Sequence, residues 1–429
     1  MKIYDNPAAD AWEPLLQRPA NDLENLEEIV RAVMQAVKYR GDDALRDYTA
    51  RFDKVELRDF AVSPAMIDAA ERQVPEELKQ AIQTARQNIE TFHQSQQLQE
   101  EVVETMPGVL CWRESRAIDR VGLYIPGGTA PLFSTVLMLA VPARLAGCRE
   151  IVLCSPPDRS GNIHPAILYA ARLCGITQIF RVGGAQAIAA MTHGTATIPQ
   201  VYKLFGPGNA YVTVAKQLAQ LQGLAIDMPA GPSEVLVCAD AGAADAHAAA
   251  DLLSQAEHGP DSQVVLVTDR RQKAESVRDE MLRQLADLPR RDLAERSIAN
   301  SLAVVFPEWR GAADFINAYA PEHLILGMAD ARTFAGGIRN AGSVFLGYHT
   351  PESVGDYASG TNHTLPTYGY ARQYSGVSLD SFVKKITFQE LTPDGLRNLG
   401  PTVEVLAEAE QLRAHRNAVS LRIADLTKA

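Results

Sequence analysis

Apolar positions fall into two rhythms along the chain. Up to about residue 100 they recur at helical spacing: Leu23, Leu26, Ile29, Val30, Val33 and Val37 share one face, and Gly41 follows as a stop. Ser63-Pro64 predicts a second helix start, a capping hydroxyl followed by proline at the first position. A longer, polar helix is predicted from Glu76 to about Gln97. From about Arg120 short β-branched runs take over, at 121–125, 151–155, 178–182 and 201–205, with helical stretches at 132–146, 165–174 and 185–193 between them. Such βαβ alternation predicts a parallel sheet with helices on its faces. A second series follows, with runs at 234–239, 263–268, 302–306, 324–326 and 343–346. The pattern therefore predicts two similar α/β domains meeting near Pro229-Ala-Gly-Pro232. A helical tail is expected after Tyr374, broken around Thr392-Pro393-Asp394-Gly395.

Composition narrows the class. The 429 residues are 46% hydrophobic and 22% charged, with 41 basic against 52 acidic side chains and a net charge of −11. That balance argues against nucleic acid or an anionic membrane as partner. The opening Met-Lys-Ile-Tyr-Asp-Asn-Pro turns polar at once, unlike a secretory leader, and the apolar run 136–143 ends at Arg144, too short to span a bilayer. Five cysteines, an odd number with no C-x-x-C pair, predict a reduced, cytoplasmic protein; Cys154, in an apolar run, reads as a buried thiol.

Three glycine-bearing loops follow strands of the first series: Ile125-Pro-Gly-Gly-Thr-Ala-Pro131, Val182-Gly-Gly-Ala-Gln-Ala187 and Phe205-Gly-Pro-Gly-Asn-Ala210. None matches a dinucleotide or Walker fingerprint. Their shared position at strand ends nonetheless predicts a ligand-binding edge, where Tyr124, Gln186 and Asn209 supply a ring and two amides. In the second series Gln255 and His258 stand three apart on one helix face. With Asp356 from a polar loop and His415 from the tail they make a nitrogen/oxygen set that suits Zn²⁺. Spacing alone does not separate this set from ordinary surface and packing residues.

Glu322 and His323 precede an apolar strand and pair a carboxylate with the side chain best suited to neutral-pH base catalysis. Adjacent strand residues point to opposite faces, so both can serve one site only if Pro321 holds them in a turn. A capped strand entry is the plain alternative. His93 and His164 read as surface residues, whereas His363 shares the loop of Asp356.

Taken together, Val121-Gly-Leu-Tyr-Ile-Pro-Gly-Gly, Phe205-Gly-Pro-Gly-Asn, Ile226-Asp-Met-Pro-Ala-Gly-Pro-Ser-Glu-Val235, Leu252-Leu-Ser-Gln-Ala-Glu-His-Gly-Pro-Asp261, Pro321-Glu-His-Leu and Gly355-Asp-Tyr-Ala-Ser-Gly-Thr-Asn-His-Thr-Leu-Pro-Thr367 resemble the histidinol dehydrogenase family. The resemblance covers essentially the whole chain. It implies an α/β fold of two incomplete Rossmann-like domains with parallel sheets, plus N-terminal helices and a helical C-terminal tail. Residues 1–22 would be an arm. The helical segment 23–115 would pack with 233–375 as the domain carrying metal and base, 116–232 would carry the NAD edge, and 376–429 would be a helical dimerisation tail.

The resemblance also implies zinc-dependent oxidation of L-histidinol to L-histidine through the aldehyde, with two NAD⁺, in histidine biosynthesis. Metal ligands would be Gln255, His258, Asp356 and His415. The base would be His323 and the water-activating carboxylate Glu322. Substrate contacts would be Ser233, Glu410, His323 and the metal ligands, and cofactor contacts Tyr124, Gln186 and Asn209. In the implied homodimer the tail enters the partner's site. Rival readings are a related dehydrogenase of another small alcohol such as a sulfonated diol, a metal-dependent hydrolase, and a non-catalytic binding protein.

Overall fold

The computed structural model describes residues 1–19, 23–127, 131–229 and 231–428. Gly128, Thr129 and Ala130 of the first glycine loop, and Ala230 of the expected boundary, lie outside the described residues. The chain forms two units, 1–96 with 118–382, and 97–117 with 383–429.

The larger unit contains two all-parallel sheets. One runs Gln178–Arg181, Glu150–Ser155, Arg120–Tyr124, Lys203–Phe205, Ala225–Ile226 in spatial order. The other runs Lys2–Asp5, Leu302–Val305, Gln263–Thr268, Glu234–Ala239, His323–Gly327, Ser343–Leu346. In each, the first strand of the series lies inside, the next two pair outward on one side and the following two on the other. Helices cover both faces, so alternate residues of one strand enter different cores: Val235 and Val237 on one side, Leu236 and Cys238 on the other. This double burial is why the strands read as continuous apolar runs.

Several expectations need correction. The helix Leu23–Arg40 sends Val30, Val33, Met34 and Val37 into the core around Ile188, Ala215 and Leu218. The helix Glu76–Gln94 sends Ile82, Ala85 and Ile89 into the core around Val136 and Leu139. Segment 23–96 thus lies against the helices of the first sheet and also meets 233–375 at 358–362, where Asn88 donates to the Ala358 carbonyl at 2.9 Å. The second sheet's faces are already closed by its own helices and by Leu15 and Trp12 of the N-terminal segment. Helical periodicity identifies an apolar stripe; it carries no information about which surface the stripe meets. The expected arm contributes a strand, Lys2–Asp5, paired with Leu302–Val305. His93, expected at the surface, is fully buried, with Nδ1 bonded to the Ile89 carbonyl at 2.8 Å and Nε2 3.4 Å from Asn362. His164 is exposed and caps its helix as acceptor for the Ala166 N–H.

The smaller unit opens with an antiparallel sheet of Val383–Leu391, Val109–Ala117 and Val103–Met106, then two helices, Pro393–Ala409 and Arg413–Leu426. Residues 103–115 and the start of the tail were expected to be helical. Val103–Met106 pairs locally with residues 109–111, but Val109–Ala117 pairs with Val383–Leu391 more than 260 positions away, as in Lys384 with Arg116, a pairing no local pattern reveals. Residues 376–382 belong to the larger unit, where Phe382 stacks on Phe205 at 4.1 Å. The break at 392–395 is a helix start, with Thr392 Oγ1 accepting from the Gly395 N–H at 3.1 Å.

All five cysteines are free, and Cys154 is buried. Among the described residues no helix is long and apolar enough to cross a membrane. Half-buried Asp53 has one oxygen without a hydrogen-bond partner, and burial pushes its carboxyl up to about 6. A raised folded-state pKa makes its contribution fully present below the unfolded value near 3.8 and lost as pH rises through about 6. Asp53→Asn is therefore expected to raise Tm by a few degrees at pH 8 and leave it unchanged at pH 4, measured by thermal denaturation. An equal shift at both pH values would dissociate the effect from ionisation.

Candidate active site

The carboxyl edge of the first sheet and the amino edge of the second share one cavity of about 450 Å³, whose lining includes Asn209, Ser233, His258, Glu322 and His363. On the first-sheet side, Tyr124 ends its strand and its hydroxyl accepts the Gly184 N–H at 3.0 Å. Gln186 is buried in the first turn of the helix Gly184–His193, and Asn209 caps the helix Ala210–Leu221. Gly206 has φ +130° and faces the Tyr124 carbonyl so closely that no Cβ fits between them. Its N–H is held by Asp227 at 2.9 Å, and Asp227 pairs at 2.5 Å with the buried Lys216, which also donates to the Gly206 carbonyl. The glycine loop is thus a rigid cradle whose backbone an extended ligand can approach, as a dinucleotide needs.

On the second-sheet side the strand begins at His323, so Glu322 stands just outside it, after Ala320 in the left-handed region at φ +55° and Pro321. This irregular entry resolves the alternation problem. Glu322 Oε2 accepts the Glu234 N–H at 2.9 Å and lies 3.6 Å from His323 Nδ1. The same Nδ1 is 3.3 Å from the Glu234 carbonyl and 3.8 Å from Glu352 Oε1. His323 Nε2 faces Asp356 Oδ1 at 3.3 Å without hydrogen-bond geometry. The ligand atoms of His323, Glu352 and Asp356 lie within 4.8 Å of one another, close enough to share a cation.

Gln255 is buried with its amide nitrogen turned to Glu352 and its oxygen accepting from the Glu234 N–H at 3.2 Å. The helix Asp245–Ala256 ends there, so His258 does not share its face with Gln255 as expected but lies in the turn beyond, exposed toward the cavity. His363 bonds the Asp356 carbonyl through Nδ1 at 2.8 Å and Thr135 through Nε2 at 3.0 Å.

Electrostatics follow from burying so many charges together. Burial alone would lower His323, but the carboxylates of Glu352 and Glu322 and the contact with Asp356 raise it well above an ordinary imidazole. Glu352 is pushed up to about 8 by burial and by the neighbouring Asp356 and Glu322, against the pull of His323. Burial also raises Glu322, with His323 opposing. Asp356 is held below the usual carboxylate range because contact with His323 outweighs its burial. Burial lowers His363.

The structure thus sets Ser233, His258 and Glu322 in the wall of one cavity, with His323 against Glu322, Asp356 against His323, and Gln255 against Glu352 and the Glu234 N–H. Glu410 and His415 belong to the smaller unit: Glu410 caps the helix Pro393–Ala409 at its C-terminus and His415 lies in the first turn of the next helix, both exposed. Sequence reasoning missed Glu352 and Glu234. Glu352 was detectable, four residues before Asp356 and so on the same helix face. Glu234 acts through its main chain, for which no side-chain signal exists. A second cavity of about 360 Å³, lined by Cys238, Gly327, Asp251 and His349 among others, holds none of the predicted site residues.

A glycine cradle at one sheet edge and a buried imidazole–carboxylate cluster at another give an α/β fold with groups suited to proton transfer. The family model for histidinol dehydrogenase matches residues 16–423. The histidinol dehydrogenase of Bacteroides fragilis is 57% identical over 428 residues, covering 100% of both chains, and that of Escherichia coli is 53% identical, covering 98% of this chain and 96% of its own. The crystal structure of histidinol dehydrogenase from Elizabethkingia anophelis matches with a TM-score of 0.98 at 55% identity, covering 100% of this chain and 99% of that one. The chain belongs to the histidinol dehydrogenase family and is an oxidoreductase.

Proposed function

We propose that the protein oxidises L-histidinol to L-histidine through L-histidinaldehyde, consuming two NAD⁺ and one water, as the last steps of histidine biosynthesis in the cytoplasm. The observation that carries this reading is the contact chain from Asp356 through His323 to Glu322, which ends in the wall of the cavity that also meets the glycine cradle.

A metal fits the site. Glu352 Oε2 is a buried polar atom without a hydrogen-bond partner, and the donors of Gln255, His258 and Asp356 nearby are nitrogen and oxygen, suited to Zn²⁺. Gln255, His258 and Asp356 would hold the ion, with His415 of the tail completing the set. In the homodimer proposed here, His415 and the substrate-binding Glu410 come from the partner's tail. Tyr124, Gln186 and Asn209 would hold NAD⁺ beside the cradle at Gly206. When bound, zinc supplies a fixed point for the substrate's amino and imidazole nitrogens, and NAD⁺ supplies the hydride acceptor.

The chain's own groups do the remaining work. Nδ1 of His323 is backed by the Glu234 carbonyl, Glu322 and Glu352, which leaves Nε2 as the face that takes the carbinol proton. Glu322 takes a proton from the water that adds to the aldehyde. Once His323 has released the first proton to solvent, the hydrated aldehyde gives it a hydroxyl proton for the second oxidation. Ser233 and His258, at the cavity wall, orient the substrate.

The test is histidinol with NAD⁺, followed by NADH absorbance. Two NADH per histidinol are expected, with loss of turnover on chelation and return on zinc add-back; hydrolysis without NADH would overturn the assignment. Because His323 works deprotonated and its neighbours raise it, activity is expected to climb from mildly acidic to alkaline pH, with the rising limb above the free-imidazole value of about 6.5. A flat pH–rate profile over that range counts against His323 as base.

A further inference from the structure

Arg18, in the N-terminal segment, is buried to 8% exposure beneath the catalytic pair. Its Nε and Nη2 grip the Glu234 carboxylate at 2.8 and 3.1 Å, and that carboxylate is 1% exposed. The guanidinium lies 3.7 Å over the Tyr319 ring, and Nη2 also donates to the Tyr319 carbonyl at 2.6 Å. The Tyr319 hydroxyl closes the cluster, donating to Gln263 at 2.7 Å and standing 3.3 Å from Glu234.

Two features set this cluster apart from ordinary packing. Its anchor points are the amino ends of two adjacent strands: Glu234 begins one, and Tyr319 leads through Ala320 and Pro321 into Glu322 and His323. Moreover, the residue whose side chain Arg18 holds is the one whose main chain holds both catalytic groups, through N–H to Glu322 and C=O to His323 Nδ1. A buried ion pair adds little stability over well-packed apolar groups of similar volume, so its worth lies in fixing geometry. A planar fork over an aromatic ring, bidentate to a carboxylate, fixes it in a way a lysine does not.

We propose that Arg18 is a positioning residue for the oxidation: by clamping Glu234 and the Tyr319 carbonyl together, it sets the distance and orientation of Glu322 and His323. The assignment rests on the function proposed above. Small misplacement of reacting groups costs rate more than binding.

The test compares wild type, Arg18→Lys, Arg18→Met and Tyr319→Phe as zinc-loaded full-length protein. Arg18→Met is expected to lower kcat roughly 10- to 100-fold with KM for histidinol within about twofold. The aldehyde half should suffer more than the alcohol half, because the Glu322 carboxylate hangs on the Glu234 N–H. Arg18→Lys should recover part of the loss, and Tyr319→Phe should lose about two- to tenfold. If Arg18→Met does not fold, the lysine and phenylalanine variants decide. The ¹⁵N signals of the His323 ring, identified by their loss in His323→Ala, give a readout independent of turnover and are expected to shift in Arg18→Lys. Unchanged kcat and ring signals with only a lowered Tm would reduce Arg18 to a structural role. Absence of histidinol turnover in wild type, with the ring signals still shifting, would instead fault the functional assignment and leave the clamp standing.

Discussion

Replacing His323 with alanine should lower turnover about 10²- to 10⁴-fold with both histidinol and histidinaldehyde, the usual contribution of a positioned base. The expectation follows from the ring's position. Nδ1 is surrounded by the Glu234 carbonyl, Glu322 and Glu352, whereas Nε2 faces Asp356 Oδ1 at 3.3 Å without a hydrogen bond and is the atom proposed to meet the substrate. Both oxidations remove a hydroxyl proton at the same carbon, so both should fail together. Alanine also strips the buried carboxylates of their shared cation, and breaking such a cluster typically costs about 3–5 kcal/mol. Thermal denaturation and zinc content must therefore accompany the rates, with His323→Gln as a bulk-preserving companion. Retention of activity within about tenfold in a folded, zinc-loaded variant would place the base elsewhere.

Glu322→Gln is expected to divide the reaction. The amide is isosteric and its oxygen can still accept the Glu234 N–H now bound at 2.9 Å, so the fold and His323 should hold their places. What disappears is the negative oxygen able to take a proton from water. Oxidation of added aldehyde should fall about 10²-fold or more, while oxidation of the alcohol stays within about tenfold of wild type. Rapid-quench sampling with an aldehyde trap should then find histidinaldehyde accumulating on the protein. Equal losses in the two halves would assign Glu322 to orientation of His323 and leave water activation to another group.

Much of the larger unit was legible because its strands are short, apolar and separated by amphipathic helices: the strands at 234–239, 263–268 and 343–346 begin and end where the β-branched runs do. The tail strand Val383–Leu391 escaped notice because most of its side chains are polar or partly exposed, and its ladder partner lies far off in the chain. Among candidate site residues, Gln255, His258, Glu322, His323 and Asp356 stood out in the sequence because their side chains are distinctive and lie in distinctive blocks. Glu352 escaped because its segment read as a polar loop, whereas the structure forms a helix, Glu352–Tyr357, carrying both Glu352 and Asp356, and buries Glu352 to 1% exposure against His323. Arg18 was unreadable in principle, since its partners Glu234 and Tyr319 are 216 and 301 positions away.

The sequence by itself determined the elements and the chemistry on offer. Side-chain periodicity dictates where a strand or helix begins, and residue type dictates which atoms can carry protons or ligate a metal. Only the tertiary structure decided that the carboxyl edge of one sheet opens onto the amino edge of the other, and that the Glu234 main chain joins the acid to the base. It also decided that the N-terminal helices cover the first sheet. The physical reason is common to all three. Burial and hydrogen bonding act between surfaces brought together by folding, and neither an apolar stripe nor a backbone amide specifies its partner in advance.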